Sequence, residues 1–175
     1  MHYNDFFLNP GELVFTKEPY KIKTILGSCV SVTIYDRVKQ YGGMCHYLLP
    51  ESHVNKASTK YGNIAIPLLL KRFHENHSKK HDLEANIIGG SLILENQNEI
   101  FFIGDRNIAV AKEMLNKYKI FIKGEETGGN KGRTMVFNTN TGNVTIKKHG
   151  NFKLFDILDR VGKTINDSAW DIGKW

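Results

Sequence analysis

Cys29, His46 and Thr24 are the residues of this chain whose types and spacing suit covalent chemistry. A thiolate is a strong nucleophile, but a free cysteine is only a few per cent ionised at neutral pH. A neighbouring imidazole can take the thiol proton, stabilise the thiolate as an imidazolium, and later protonate a leaving amine. A third group commonly orients the imidazole, and Thr24, five residues before the cysteine, is the nearby candidate. Gly27-Ser28 lets the backbone turn closely ahead of Cys29, so main-chain N–H groups there can face a developing oxyanion. A strand cysteine is also an ordinary small hydrophobe, and the pair by itself does not decide between the two readings.

The elements that must position this pair lie in residues 23–50. Val30, Val32 and Ile34 alternate with Ser31, Thr33 and Tyr35, the period of a half-buried strand, and residues 42–48 read as its return. A hairpin centred between Arg37 and Val38 puts Cys29 directly opposite His46, with Cβ atoms roughly 4.5–5.5 Å apart. Cys45 then faces the other side, with Val30, Val32 and Ile34.

These segments resemble the CheD family of chemotaxis proteins, the chemoreceptor glutamine deamidases. The resemblance runs over residues 9–147. It is carried by N-P-G-E-L, T-I-L-G-S-C-V and G-G-M-C-H-Y-L-L-P, and then by I-G-G, I-G-D-R-N and E-T-G-G-N-K-G-R. It implies a CNF-toxin-like cysteine hydrolase fold, with Cys29 as nucleophile, His46 as base and Thr24 as third member. Some members carry one more residue between threonine and cysteine, which leaves Lys23 as a competitor for Thr24. Where family members commonly have a small, unreactive residue before the histidine, this chain has Cys45. The implied substrates are helical methylation regions of chemoreceptors, and no metal or organic cofactor is required. The implied partner, in an alternative reading as a binding module, is a CheY-phosphate phosphatase of the CheC type. Another papain-like thiol enzyme, a peptidase or transglutaminase, is the remaining class.

The rest of the chain fits a single α+β domain with layered strands and two main helices. Its 175 residues suffice for a sizeable core, and 41% hydrophobic with 24% charged residues is ordinary for a soluble globular protein. Two cysteines without metal-type spacing argue for a reducing, cytoplasmic setting. The first residues lack the pattern of a secretory signal, and no apolar run approaches the roughly 20 residues of a membrane span. The net charge of +6 comes from scattered lysines and arginines, without the aromatic-interleaved stripe of a nucleic-acid reader.

Strands are expected over 12–16, 21–26, 83–88, 91–94, 100–103, 120–123, 133–138 and 144–148. Residues 1–10 read as a loose lead-in, with Phe6-Phe7 as a core anchor, and the polar run 51–61 as a possible rim of the site. One helix is expected over 63–77, with Pro67 in its first turn, and a second over 106–118, capped by Asp105. Gly89-Gly90 suits a close backbone approach. His74, His77 and His81 lack an acidic or cysteine ligand and read as a solvated helix end. The role of the turn 127–130 is open, as is whether Asn130 or Arg133 reaches substrate. The domain is placed at 1–150, and 151–175 is read as an amphipathic extension with Trp170 and Trp175.

Overall fold

The computed structural model describes residues 4–54, 57–92 and 103–149. Nine strands and two α-helices are found among them: β1 (Asn4–Phe7), β2 (Leu13–Thr16), β3 (Tyr20–Leu26), β4 (Val30–Asp36), β5 (Tyr41–Tyr47), α1 (Gly62–Glu75), β6 (Leu83–Gly89), α2 (Ile103–Lys117), β7 (Phe121–Thr127), β8 (Arg133–Asn138) and β9 (Val144–Lys148). They form two sheets, a five-stranded one in the order β2-β5-β4-β6-β7 and a four-stranded one in the order β1-β3-β8-β9. The architecture is α+β, as expected.

Three layers result. Val30, Val32, Ile34 and Cys45 of the five-stranded sheet pack against Ile66, Leu69 and Phe73 of α1 and Ala111 and Leu115 of α2. The opposite face meets the second sheet through Tyr35, Met44 and Ile88 against Ile22, Leu26, Met135 and Phe137. β4 is therefore buried on both faces rather than half-buried. Its polar side chains are accommodated by hydrogen bonds: Ser31 Oγ donates to the Cys45 carbonyl at 2.8 Å, and Thr33 Oγ1 accepts from Asn86 Nδ2 at 3.1 Å. Buried hydroxyls need such partners, because an unmade bond there costs about 1–3 kcal/mol.

The hairpin register differs from the sequence expectation by two residues. The pairs are Val30↔Tyr47, Ser31↔His46 and Val32↔Cys45, so Ser31 stands opposite His46. Asp36 sets this register: its Oδ1 accepts from the Val38 and Lys39 amides, and Gln40 takes φ 57° before the return strand. A two-residue shift preserves which face each side chain occupies. Cys29 and His46 therefore stay on one side and become diagonal rather than direct neighbours.

Three further expectations change. The lead-in is not loose from Asn4 onward: β1 pairs in parallel with β3, and fully buried Leu8, rather than half-buried Phe6 or Phe7, is the anchor. Pro67 lies beyond the first turn of α1. The second helix already includes Ile103, and Asp105 stands in its first turn instead of capping it. Ser91 and Leu92 are not in a strand, while 93–94 and 100–102, like the extension 151–175, lie outside the described residues.

Candidate active site

Cys29 ends the tight turn between β3 and β4, and the carbonyls of that turn are fastened from β6. The Gly90 amide donates to the Cys29 carbonyl at 2.8 Å, and Ser91 donates to the Gly27 carbonyl through its amide at 2.8 Å and its hydroxyl at 2.9 Å. Gly89 adopts φ +117°, and a Cβ there would lie 2.2 Å from the Cys29 carbonyl oxygen. The glycine pair is thus required by a close backbone approach to the cysteine turn.

His46 lies on β5 with its ring turned toward the second sheet. Its backbone is held by the turn at residues 9–12: the His46 amide donates to the Glu12 carbonyl at 3.0 Å, and the Gly11 amide donates to the His46 carbonyl at 2.6 Å. Glu12 in turn accepts from the Asn9 amide at 2.8 Å. The N-P-G-E-L segment therefore clamps the histidine strand, a role that its sequence did not announce.

The imidazole orientation follows from the hydrogen-bond inventory. Thr24 Oγ1 donates its single proton to the Leu8 carbonyl at 2.7 Å, and the same oxygen lies 2.9 Å from His46 Nδ1. The oxygen can then only accept from the ring, so Nδ1 carries the proton and Nε2 keeps its lone pair. Lys23 points outward on the exposed side of β3, so the hydroxyl at the imidazole is that of Thr24. His46 Nε2 is buried and has no hydrogen-bond partner among the described residues.

Burial controls the protonation of both groups. It pushes the imidazole down to about 4, against a smaller opposing pull from the Leu8 carbonyl. It pushes the Cys29 thiol up to about 11, while the residue's own backbone N–H pulls the other way. At neutral pH the free protein thus holds a neutral thiol and a neutral imidazole on one side of the sheet, not the thiolate–imidazolium pair that the residue types suggested.

The depressed imidazole makes stability depend on pH. Above the ordinary value of 6.5 both folded and unfolded chains hold neutral His46, and the folded state keeps its full stability. As pH falls from 6.5 toward about 4, the unfolded chain takes up the proton and the folded one does not. We expect this residue to cost the protein up to about 3 kcal/mol across that window. Urea midpoints of the parent and His46→Gln at pH 7, 5.5 and 4.5 measure it. Equal acid sensitivity in both would show that His46 is not held neutral by the fold.

Cys45 packs in the layer between the five-stranded sheet and the helices, and is 0% exposed. Burial pushes its thiol up to about 12. Half-exposed Cys29 should therefore react with iodoacetamide well before Cys45 in the native protein. Mass-resolved labelling at neutral pH gives both rates, and Cys45 labelled first would reverse the assignment of faces.

Arg133 and Asn130 have separate fates. Arg133 is 1% exposed and its guanidinium donates to the carbonyls of Glu126 and Gly128. It braces the glycine turn from within and is not free to meet a substrate. Asn130 is exposed on that turn. Ser52, His53 and Ala57 line a surface cavity with Asn63, Ile64, Pro67, Leu68 and Lys71; Cys29, His46 and Thr24 are not part of it. Among the described residues no group of three or more His, Cys, Asp or Glu could hold a metal ion.

Sequence reasoning missed Asn107. It is fully buried on α2, and its Nδ2 donates to the Ser28 carbonyl at 3.0 Å and the Leu48 carbonyl at 2.9 Å. The available signal was its place at the end of I-G-D-R-N, where Asp105 drew the attention instead.

Named relatives match most of the chain. Residues 48–148 match the family model described as CheD chemotactic sensory transduction. A protein of Methanococcus vannielii named probable chemoreceptor glutamine deamidase CheD is 37% identical over 82% of this chain and 94% of its own length. One of Methanosarcina acetivorans, named probable chemoreceptor glutamine deamidase CheD 1, is 43% identical over 78% of this chain and 87% of its own. One of Clostridium kluyveri, named like the first, is 41% identical over 75% and 85%. The crystal structure of the Bacillus licheniformis hypothetical protein YfiH aligns with 66% of this chain and 49% of its own, at a TM-score of 0.43 and 15% identity.

Proposed function

Since this chain belongs to the CheD family, we propose that it deamidates glutamine side chains of chemoreceptors, leaving glutamate in the receptor and releasing ammonia. The substrate is a protein side chain presented on a methylation helix. Cys29 Sγ attacks the amide carbon as His46 Nε2 takes the thiol proton. The N–H groups of Ser28 and Cys29 face the oxyanion, in a turn whose carbonyls are tied back by Gly90 and Ser91. The imidazolium then protonates the departing nitrogen, the C–N bond breaks, and ammonia leaves a thioester on Cys29. His46 next takes a proton from water as it attacks the thioester carbon. The receptor, now bearing glutamate, leaves the sulfur, and the imidazolium proton returns to the thiolate.

The observation that carries this reading is the imidazole itself. Thr24 Oγ1, its own proton given to the Leu8 carbonyl, accepts from Nδ1, which leaves Nε2 with its lone pair, buried and without a partner among the described residues. That is the state a general base requires before it accepts a thiol proton. The reaction belongs in the cytoplasm, where receptor methylation helices lie and where the free thiols of Cys29 and Cys45 stay reduced. Among the described residues no helix is long and apolar enough to cross a membrane.

Intact-mass analysis of receptor fragments incubated with the protein tests the proposal. Each deamidated glutamine makes the fragment about one dalton heavier and releases one ammonia, without chain cleavage. Cleaved fragments would indicate a peptidase. Unchanged fragments would indicate a chain that acts only by binding, for instance to a CheC-type phosphatase.

A further inference from the structure

The ladder between β4 and β5 ends at the pair Val30↔Tyr47. One position further on, Cys29 and Leu48 lie where the two strands part. Asn107 fills that opening. It uses both hydrogens of Nδ2, one on the carbonyl just before the cysteine and one on the carbonyl two residues past the histidine. The backbone carbonyl of Asn107 accepts from Tyr47 Oη at 2.6 Å, which ties α2 to the histidine strand a second time. Gly104, one turn earlier, brings the helix against β6: a Cβ there would lie 2.6 Å from the Gly90 carbonyl oxygen. The helix is therefore seated on the same backbone that holds Cys29.

The side chain's chemistry is specific to this place. Two carbonyl oxygens facing one nitrogen require two donors on that nitrogen, which a carboxylate cannot supply. Among the described residues Asn107 Oδ1 is buried and unpartnered, a standing cost that an apolar residue of similar size would avoid. A residue serving only to pack would not need that amide. We infer that Asn107 is a positioning residue for the deamidation: its amide sets the spacing between the turn bearing Cys29 and the strand bearing His46. The inference rests on the deamidase reading. It adds that the opening left by the ended ladder is bridged by a side chain from the helix layer.

The test compares Asn107→Leu and Asn107→Asp with Val110→Ala, a truncation on the same helix that touches only the core. All three are assayed on receptor fragments at a temperature where each is folded. The Asn107 variants should lose about 10- to 100-fold in kcat with KM little changed, as a displaced catalytic pair does. Val110→Ala should keep its kcat. Asn107 variants with the kcat of Val110→Ala would overturn the inference. If neither Asn107 variant folds, Tyr47→Phe removes only the hydroxyl that seats the Asn107 backbone. A several-fold drop in its kcat at constant KM supports the inference, and an unchanged kcat overturns it. The rate of Cys29 alkylation between pH 6 and 9 gives a readout without substrate. It should fall and change its pH dependence in the Asn107 variants, and a profile identical to the parent overturns the inference. Absence of deamidation by the parent protein would instead remove the deamidase reading, and the alkylation comparison would still judge Asn107.

Discussion

Cys29→Ala should reduce glutamine deamidation to background, and His46→Ala should do the same. The double variant should be no worse than either single one, because nucleophile and base serve one step and neither works alone. Both variants should fold. The cysteine side chain is half-exposed at the end of a turn, and the imidazole makes one side-chain hydrogen bond, to Thr24. Ammonia release from a receptor fragment, read beside circular dichroism, separates lost chemistry from lost structure. Residual turnover in Cys29→Ala close to that of the parent would remove the cysteine from the mechanism.

Gly89→Ala should have the largest effect on stability, about 3 kcal/mol or more. Two causes combine: φ +117° is a conformation that alanine adopts only under strain, and the new Cβ would press on the Cys29 carbonyl 2.2 Å away. Backbone cannot move aside as a flexible side chain can, so the cysteine turn must shift. Gly128→Ala is the matched comparison. Its φ is +70°, and among the described residues nothing lies within 4 Å of the added Cβ. It should cost only the left-handed strain, about 1–2 kcal/mol. Urea unfolding of the two variants measures the difference. Equal losses would mean that the close approach at Gly89 is not a constraint.

What the sequence disclosed about the site was parity rather than register. Alternation along residues 30–35 settles which side chains share a face, because period 2 depends only on the strand being extended. It separated Cys45 from Cys29 and His46 correctly. The pairing depended on where the chain turns, and D-R-V-K offers no glycine to mark the place. The turn is made by Asp36, whose carboxylate binds two amides ahead of it, and by Gln40 in a left-handed conformation. An aspartate is too common for that role to be read off.

Other features were hidden for different reasons. Four residues on a parallel edge carry little pattern, so β1 was read as part of a lead-in. Yet its extension supplies the Leu8 carbonyl that settles the imidazole tautomer. The buried polar face of β4 could not be foreseen without knowing that a second sheet covers it. Asn107 reaches partners 79 and 59 residues away in sequence, and no local periodicity encodes such pairs. Gly89-Gly90, by contrast, was legible, because two adjacent glycines at a strand end have few other uses than close approach.

The claim at the centre of this account is that Cys29 becomes acylated by a glutamine side chain. Acid quenching of the protein during turnover of a receptor fragment, followed by peptide mass mapping, tests it most directly. The account predicts a thioester on the peptide containing Cys29, heavier by the fragment less ammonia, that disappears in Cys29→Ala. Steady deamidation accompanied by an adduct on Cys45 instead would contradict it.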